Sequence, residues 1–361
     1  MRYCFFGGYS SSYPRNAIIR KGLRMSGAEV LECNPDRRYK FWLRYPFLAA
    51  HWARICRRHN FFFIPEFCQK DVPLAKFLSF FSSKKIIFDP LASRFETKIA
   101  DWRRRPADSP EAWWNYEIDL WAFRLSHLVL ADTQAHKDYY CEKYRLPSEK
   151  VEVLPVGFDD SFFKPSPARV DKEQRDRFTV LFYGSFLPLH GVEVIIQAAA
   201  ITWKEDRSIR FGLIGSGQTL PQAKAEAAKL GLSNVRFEGW TTPGKLVEKI
   251  ASSDICLGIF GRTEKANRVV PHKIYQSLGM KKAVVTTRTQ ALEEFFSDRE
   301  DIFLCPEPRP ELLAEAILEL KENKVLREGI AERGYQYVKE NFTPQALGRR
   351  LIEITEKHFI H

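Results

Sequence analysis

The chain has 361 residues, 45% of them hydrophobic and 14% aromatic, and its 56 Lys and Arg outweigh 45 acidic residues for a formal net charge of +11. This is ample material for a folded core, the length predicts two domains, and the basic balance favours anionic partners such as nucleic acid, anionic lipid or phosphorylated metabolites. No apolar run approaches the roughly 20 residues needed to span a bilayer, and "MRYCFFGGYSSS" is interrupted by Gly-Gly too early for a signal peptide, so a cytoplasmic protein is expected, one that meets a membrane only from its surface.

In chain order, one unit recurs: a short apolar strand, a glycine-containing turn and an amphipathic helix. "RYCFF" is followed by a helical pattern from Pro14 to about Ser26, then by strands in "AEVLEC", "FFFIPE", "KKIIFDP", "HLVLADT" and "VEVLPVG". After a charged, Pro-rich interlude from Lys164 to Arg177, the series restarts with "FTVLFYGSF", "IRFGLIGSG", "NVRFEGW", "DICLGIF" and "KAVVTT", and Phe342 to His361 reads as a further helix. Strands alternating with helices of this length predict parallel sheets with right-handed crossovers, hence two Rossmann-like α/β domains. The expected boundaries are 1–160, 161–341 and a C-terminal helix, 342–361, able to pack back on the first domain. Ligands bind outside the carboxyl ends of strands in such sheets, so two domains facing one another would present a cleft there.

In the first domain, "FFGGYSSSYPRN" joins strand to helix. Gly7 and Gly8 permit close backbone approach, the helix beginning near Pro14 offers amides, and Arg15 adds a cation in its first turn. The pattern GxGxxG is absent, which disfavours NAD. From Asp36 to Lys85, Arg and Lys mix with Phe, Trp and Leu, the composition of a helix that lies on an anionic membrane surface or of a core helix with a solvated basic face. Asp89 and Asp132 end strands, and Glu117 and Asp119 lie on an aromatic helix; each can accept a proton or hold a hydroxyl, with Asp89 the first choice. Asp132 equally suits the N-cap of a helix starting near Gln134, and His127 and His136 are expected to be structural. The seven cysteines are odd in number, form no CxxC and lie mostly in apolar runs, as expected of reduced thiols serving as small core residues.

In the second domain, three turns carry glycine: Gly184 in "FYGSFLPLHG", and Gly215 and Gly217 in "LIGSGQ". The segment "RVVPHKIYQSLGMKKAVVTT" reads as a short helix, with Pro271 at its first position, running into a buried strand. Lys265, Arg268, His272 and Lys273 crowd the start of that helix, where each cation costs about 0.3–1 kcal/mol against the dipole unless an anion offsets it. A diphosphate between the helix amides and these cations would reverse that cost.

Several segments, in order, resemble glycosyltransferases of the GT-B fold, specifically the retaining family 4, also called group 1. "VLPVGFDDSFFKP" is similar to that family's interdomain segment, "LFYGSFLPLHGVEVIIQAAA" to its glycine turn and helix, "IRFGLIGSGQTLPQAKAEAAKLGLSNVRFEGW" to its following strand, turn, helix and strand, and "IYQSLGMKKAVVTT" to its E-A-M-A-x-G-x-P-V-V stretch. The resemblance implies two Rossmann-like domains with parallel sheets facing across a cleft. It also implies transfer of a sugar from a nucleotide diphosphate-sugar to an acceptor hydroxyl, with retention, without metal and without a cofactor. Gly184, Ser185, His190, Gly215, Gly217, Trp240, Lys265, Arg268, Lys273, Ile274 and Gln276 would then contact the donor. Gly7, Gly8, Arg15, Asp89 and Glu117 would lie on the acceptor side, and Asp89, Arg268 and Lys273 would act in catalysis. The family's Glu-x7-Glu pair falls on Arg268 and Gln276 here, and its phosphate-contacting Arg and Lys fall on Ser185 and His190, so the cations have moved into "RTEKANRVVPHK". The basic aromatic segment suggests a lipid-linked or surface-glycan acceptor at an anionic membrane. A GT-B-fold nucleotide-sugar epimerase would need carboxylates where Arg268 stands, and a nucleic-acid binder would gather its charge into a stripe that the sequence lacks.

Overall fold

The computed structural model describes residues 1–35, 41–102, 104–166 and 177–360. Most of the expected linker, and the opening of the basic aromatic segment at Asp36, fall outside the described residues. The chain divides into two units, Met1–Gly157 with Phe342–His361, and Phe158–Asn341.

The first unit carries a six-stranded, all-parallel sheet of β1 (Arg2–Phe6), β2 (Glu29–Cys33), β3 (Phe61–Ile64), β4 (Lys85–Phe88), β5 (Leu128–Ala131) and β6 (Val151–Val153), in the order β2-β1-β3-β4-β5-β6. The second carries β7 (Phe178–Tyr183), β8 (Ile209–Ile214), β9 (Val235–Glu238), β10 (Ile255–Leu257), β11 (Ala283–Thr287) and β12 (Phe303–Cys305), again parallel, in the order β12-β11-β10-β7-β8-β9. All eleven strands expected from the sequence are present. β12 is an addition, a three-residue strand between Asp301 and Pro306. Central strands such as β3 and β11 are buried at every residue, which is why they read as continuous apolar runs rather than alternating ones.

Helix Pro14–Met25 buries Ile18, Ile19, Gly22 and Leu23 and packs against the C-terminal helix Pro344–Phe359. The two backbones nearly touch: a Cβ at Gly22 would stand 2.0 Å from the Pro344 carbonyl oxygen, and one at Gly348 would stand 2.2 Å from Gly22. The Tyr3 hydroxyl on β1, 3.0 Å from Thr355 Oγ1, adds a buried polar tie to the same helix. The chain's last twenty residues are thus part of the first unit.

In both sheets the strand order reverses beside the unit's first strand, between β1 and β3 and between β7 and β10. The carboxyl ends there diverge into loops on opposite sides, which opens a crevice at that point.

Candidate functional site

In the second unit, the crevice lies between Gly184, just past β7, and Gly258, just past β10. Gly184 takes φ +140, a backbone region that favours glycine, and a Cβ there would crowd Lys273 Nζ at 3.2 Å. Lys273 is the second residue of helix His272–Gly279. Its ammonium reaches back to the strand ends, donating a long 3.4 Å hydrogen bond to the Gly258 carbonyl and sitting 3.9 Å from the centroid of the Phe182 ring. It is only 5% exposed, and burial pushes its pKa well below the ordinary lysine value. Among the described residues no carboxylate pairs with it. A desolvated ammonium without a counter-charge is costly, and the atom that would relieve the cost is an anion entering from the crevice.

His190 completes this wall. Its Nδ1 donates to the Ser185 carbonyl, which leaves Nε2 as an acceptor. Burial, reinforced by Lys273 and Lys265, lowers its pKa well below the usual value, so the ring is neutral and its Nε2 suits a hydroxyl donor rather than a phosphate. The turn Pro188–His190 packs backbone to backbone on Phe260 and Gly261, through Phe260 N–H to the His190 carbonyl at 3.0 Å and Gly261 N–H to the Leu189 carbonyl at 3.1 Å. Helix Val192–Glu205 begins directly after it at Gly191. Neither this helix nor His272–Gly279 has a side-chain N-cap, and the second has no acidic residue in its first turn. Helix amides without a protein cap complement a phosphate. Pro271 is the N-cap of the second helix, one position earlier than the sequence pattern suggested, with extended φ −71 and ψ 152.

The other expected donor contacts divide. Lys265 is largely buried, and Gln276, one turn beyond Lys273, is 8% exposed. Arg268 pairs with Glu264 at 3.0 Å, an ion pair whose carboxylate is 83% exposed and therefore easily exchanged for a ligand anion. Ile274 is a core residue whose N–H is bonded to the Pro271 carbonyl, so what it supplies is an apolar wall beneath Gly258. Gly215 and Gly217 are corrected from phosphate turns to packing positions: a Cβ at Gly215 would fall 1.9 Å from the Gly184 carbonyl oxygen, and one at Gly217 2.5 Å from that of Phe186. Trp240 follows the edge strand β9, two strands and about 10 Å across the sheet from β7, which removes it from the crevice. A recess of about 470 Å³ lies beside the site, lined among others by Thr263, Glu264, Asn267, Arg288 and Glu307.

The first unit's glycine turn is also corrected. Gly8 N–H donates to Asp71 Oδ2 at 2.9 Å, and Arg44 holds the same carboxylate with contacts of 2.6–2.9 Å. The anion expected at Gly7 and Gly8 is therefore the protein's own Asp71. Arg15 and Asp89 are fully buried and joined at 2.6 Å, and the guanidinium also donates to the Leu154 and Pro155 carbonyls at 3.0 and 3.1 Å. This pair fastens the first helix to the strand ends, which corrects both residues from ligand contacts to scaffold. Glu117 is half-exposed on helix Pro110–Leu125. Thr133, rather than Asp132, caps the helix Gln134–Tyr144; Asp132 instead holds His136 Nδ1 at 2.6 Å, with Glu96 on Nε2 at 2.9 Å. His127 Nδ1 accepts from the Ile86 N–H at 3.0 Å.

Sequence reasoning missed Glu66. It lies just past β3, at the first unit's reversal of strand order, fully buried, with Oε1 accepting from Asn16 Nδ2 at 2.7 Å. Burial, aided by the charge of Asp89, raises its pKa to about 8. The signal was present, since a glutamate two residues past an all-apolar strand is anomalous. Its unfolded-state pKa is 4.5, so the stabilisation it provides is complete below pH 4.5 and is lost as pH rises through 8. His136 works in the same direction: burial opposes its charge, but Glu96 and Asp132 outweigh it and raise the pKa to about 9. Glu66→Gln is therefore expected to gain stability relative to the parent chain as pH rises from 5 to 8.5, read as diverging thermal midpoints; parallel curves would contradict the assignment.

Residues 166–337 match the family model described as glycosyl transferases group 1. The chain is 28% identical over 160 residues to an uncharacterized glycosyltransferase of Methanocaldococcus jannaschii, covering 44% of this chain and 43% of that one. It is 24% identical over 239 residues to the alpha-D-kanosaminyltransferase of Streptomyces kanamyceticus, covering 64% and 61%. The chain thus spans between two fifths and two thirds of the length of these curated relatives. Among solved structures, Anabaena Alr3699/HepE in complex with UDP-glucose superposes with a TM-score of 0.74 at 16% identity, over 99% of this chain and 100% of that one, a likeness of fold.

Proposed function

We propose, for a GT-B chain whose second unit belongs to glycosyl transferases group 1, that it moves a sugar from a nucleotide diphosphate-sugar to an acceptor hydroxyl. One observation carries this: the buried Lys273 ammonium, without a carboxylate partner among the described residues, at the Gly184 and Gly258 strand ends in the first turn of a helix that lacks a side-chain cap. In the reaction the bond from the anomeric carbon to the diphosphate breaks, the acceptor oxygen bonds to that carbon, and the acceptor's proton leaves with the diphosphate. The leaving group gains charge as the bond breaks. Lys273 and the helix amides are already oriented to receive it, so their contribution is greater in the transition state than in the ground state. Gln276 and His190 Nε2 offer neutral hydrogen bonds to donor hydroxyls, and Arg268 takes a second phosphate contact once it leaves Glu264. The reading includes retention at the anomeric carbon, and it assigns neutralisation of the diphosphate to protein cations rather than to a metal. Because Alr3699/HepE was solved with UDP-glucose, UDP-sugars are the first donors to test. A thermal-shift panel of UDP, GDP and ADP is expected to give one clear stabilisation, about 2.7 kcal/mol at a hundredfold excess over Kd. Stabilisation by none of them, with tight binding of oligonucleotides instead, would overturn the proposal.

The acceptor we propose is lipid-linked, met at an anionic membrane surface by the first unit. Among the described residues no helix is long and apolar enough to cross a membrane. Helices Val72–Ser82 and Pro110–Leu125 pack together and expose Phe77, Phe80, Phe81, Trp113 and Trp114 at 52–83%. Exposed aromatic rings of this number, with Lys84 and Lys85 at the end of the first helix, support insertion into the headgroup region. The aromatic surface thus extends beyond the basic segment singled out in the sequence, in which Arg44 is buried on Asp71 rather than facing outward. Phe80→Ser with Phe81→Ser is expected to weaken flotation with anionic vesicles about tenfold or more while leaving nucleotide binding unchanged; equal flotation of both proteins would remove the membrane from the account.

A further inference from the structure

Three of the seven cysteines meet in one place. Cys4 on β1, Cys33 at the end of β2 and Cys56 are fully buried and neighbour one another in the first unit's core. The Sγ atoms of Cys33 and Cys56 and a ring nitrogen of His51 lie within 4.8 Å of one another. Residues 52–56 form a π-helical turn at the end of helix Phe41–His51, and this widened turn returns Cys56 beneath the helix toward the sheet. Cys33 Sγ also lies 3.5 Å from the Leu48 carbonyl, so the cluster sits directly under that helix. His51 is exposed, which leaves a route from solvent to the buried sulfurs.

We propose that Cys33, His51 and Cys56 form a Cys2His site for a thiophilic divalent ion, zinc being the class that this ligand set selects, with the fourth position open to water or to the neighbouring Cys4 thiol. A tetrahedral ion with bonds of about 2.3 Å to sulfur and about 2.0 Å to nitrogen needs ligand atoms roughly 3.5–4 Å apart, so the side chains close in by an ångström or less. His51 Nε2 donates to the Glu32 carbonyl at 3.1 Å, which fixes the proton there and leaves Nδ1 with the lone pair, as in metal sites where a backbone carbonyl orients the ligating histidine. On binding, the Cys33 and Cys56 thiols release protons and form sulfur–metal bonds, with no oxidation or reduction. The ion would pin helix Phe41–His51 to the β1–β2 edge. That helix carries Arg44, which holds Asp71 against the Gly7–Gly8 turn, so the site supports the first unit's loop architecture and is independent of the donor chemistry.

The test is metal content of the full chain, purified without chelator and dialysed against zinc. About one zinc per chain is expected, lost in Cys33→Ser and Cys56→Ser and retained in Cys256→Ser, which removes a buried thiol of the second unit. His51→Ala changes only an exposed residue and folds irrespective of the thiols; it is expected to weaken zinc binding about tenfold or more in competition with a chromogenic chelator. Cobalt substituted for zinc should give the visible absorption of a thiolate-ligated tetrahedral ion. Zinc absent from the parent chain, zinc held equally by all variants, or a disulfide joining two of the three cysteines in the purified protein would each overturn the proposal.

Discussion

Lys273→Met abolishes the rise in thermal stability on adding a nucleoside diphosphate and lowers sugar transfer roughly 10²–10³-fold, the usual consequence of removing one donor that faces developing negative charge. The same variant raises the stability of the ligand-free protein by about 0.5–2 kcal/mol, because a buried ammonium without a carboxylate partner beside the Phe182 ring is replaced by an apolar side chain of similar length. The two readouts separate the possible roles. A functional anion site predicts lost binding with gained stability, whereas a structural lysine predicts that both fall. Differential scanning fluorimetry with and without UDP, GDP or ADP reads both quantities. An unchanged nucleotide shift in Lys273→Met would place the anion elsewhere.

Asp89→Ala unfolds or nearly unfolds the first unit. It strands the Arg15 guanidinium at 0% exposure with only two backbone carbonyls for partners, and breaking a buried pair in this way costs about 3–5 kcal/mol. That is a large share of the 5–15 kcal/mol of a typical domain. Asp89→Asn keeps an acceptor for Arg15 Nε and costs less. Urea titrations measure the loss, and transfer assays on the folded fraction decide the role: scaffold predicts that Asp89→Asn turns over at nearly the parent rate per folded molecule. A fully stable, inactive Asp89→Asn would restore Asp89 as the proton acceptor.

The central strands were legible because burial on both faces leaves parallel strands such as β3 and β11 as continuous apolar runs. Lys273 was legible for an electrostatic reason, since a cation in the first turn of a helix is anomalous unless an anion joins it. What could not be read was pairing at long range. Nothing near Gly8 announces that Asp71, 63 positions away, fills its anion-binding turn. Gly215 and Gly217 have the spacing of a phosphate loop, yet they are glycine because the Gly184 and Phe186 carbonyls press against them. The same limit hid the thiol cluster, whose members at 4, 33 and 56 follow no metal-ligand spacing and converge only through strand register and a π-helical turn. Exposure of Phe80 and Phe81 was likewise hidden, because the apolar pattern of helix Val72–Ser82 covers more of its circumference than the core can bury.

Hydrogen–deuterium exchange of the full chain, with and without a saturating nucleoside diphosphate, most directly tests whether the β7–β10 crevice holds the donor. Protection is expected in the Gly184–Gly191 turn and the start of the helix after it, and from Gly258 through Gln276, with little change at the Gly7–Gly8 turn. Protection confined to the first unit, or none in either segment while the nucleotide is bound, would contradict the account.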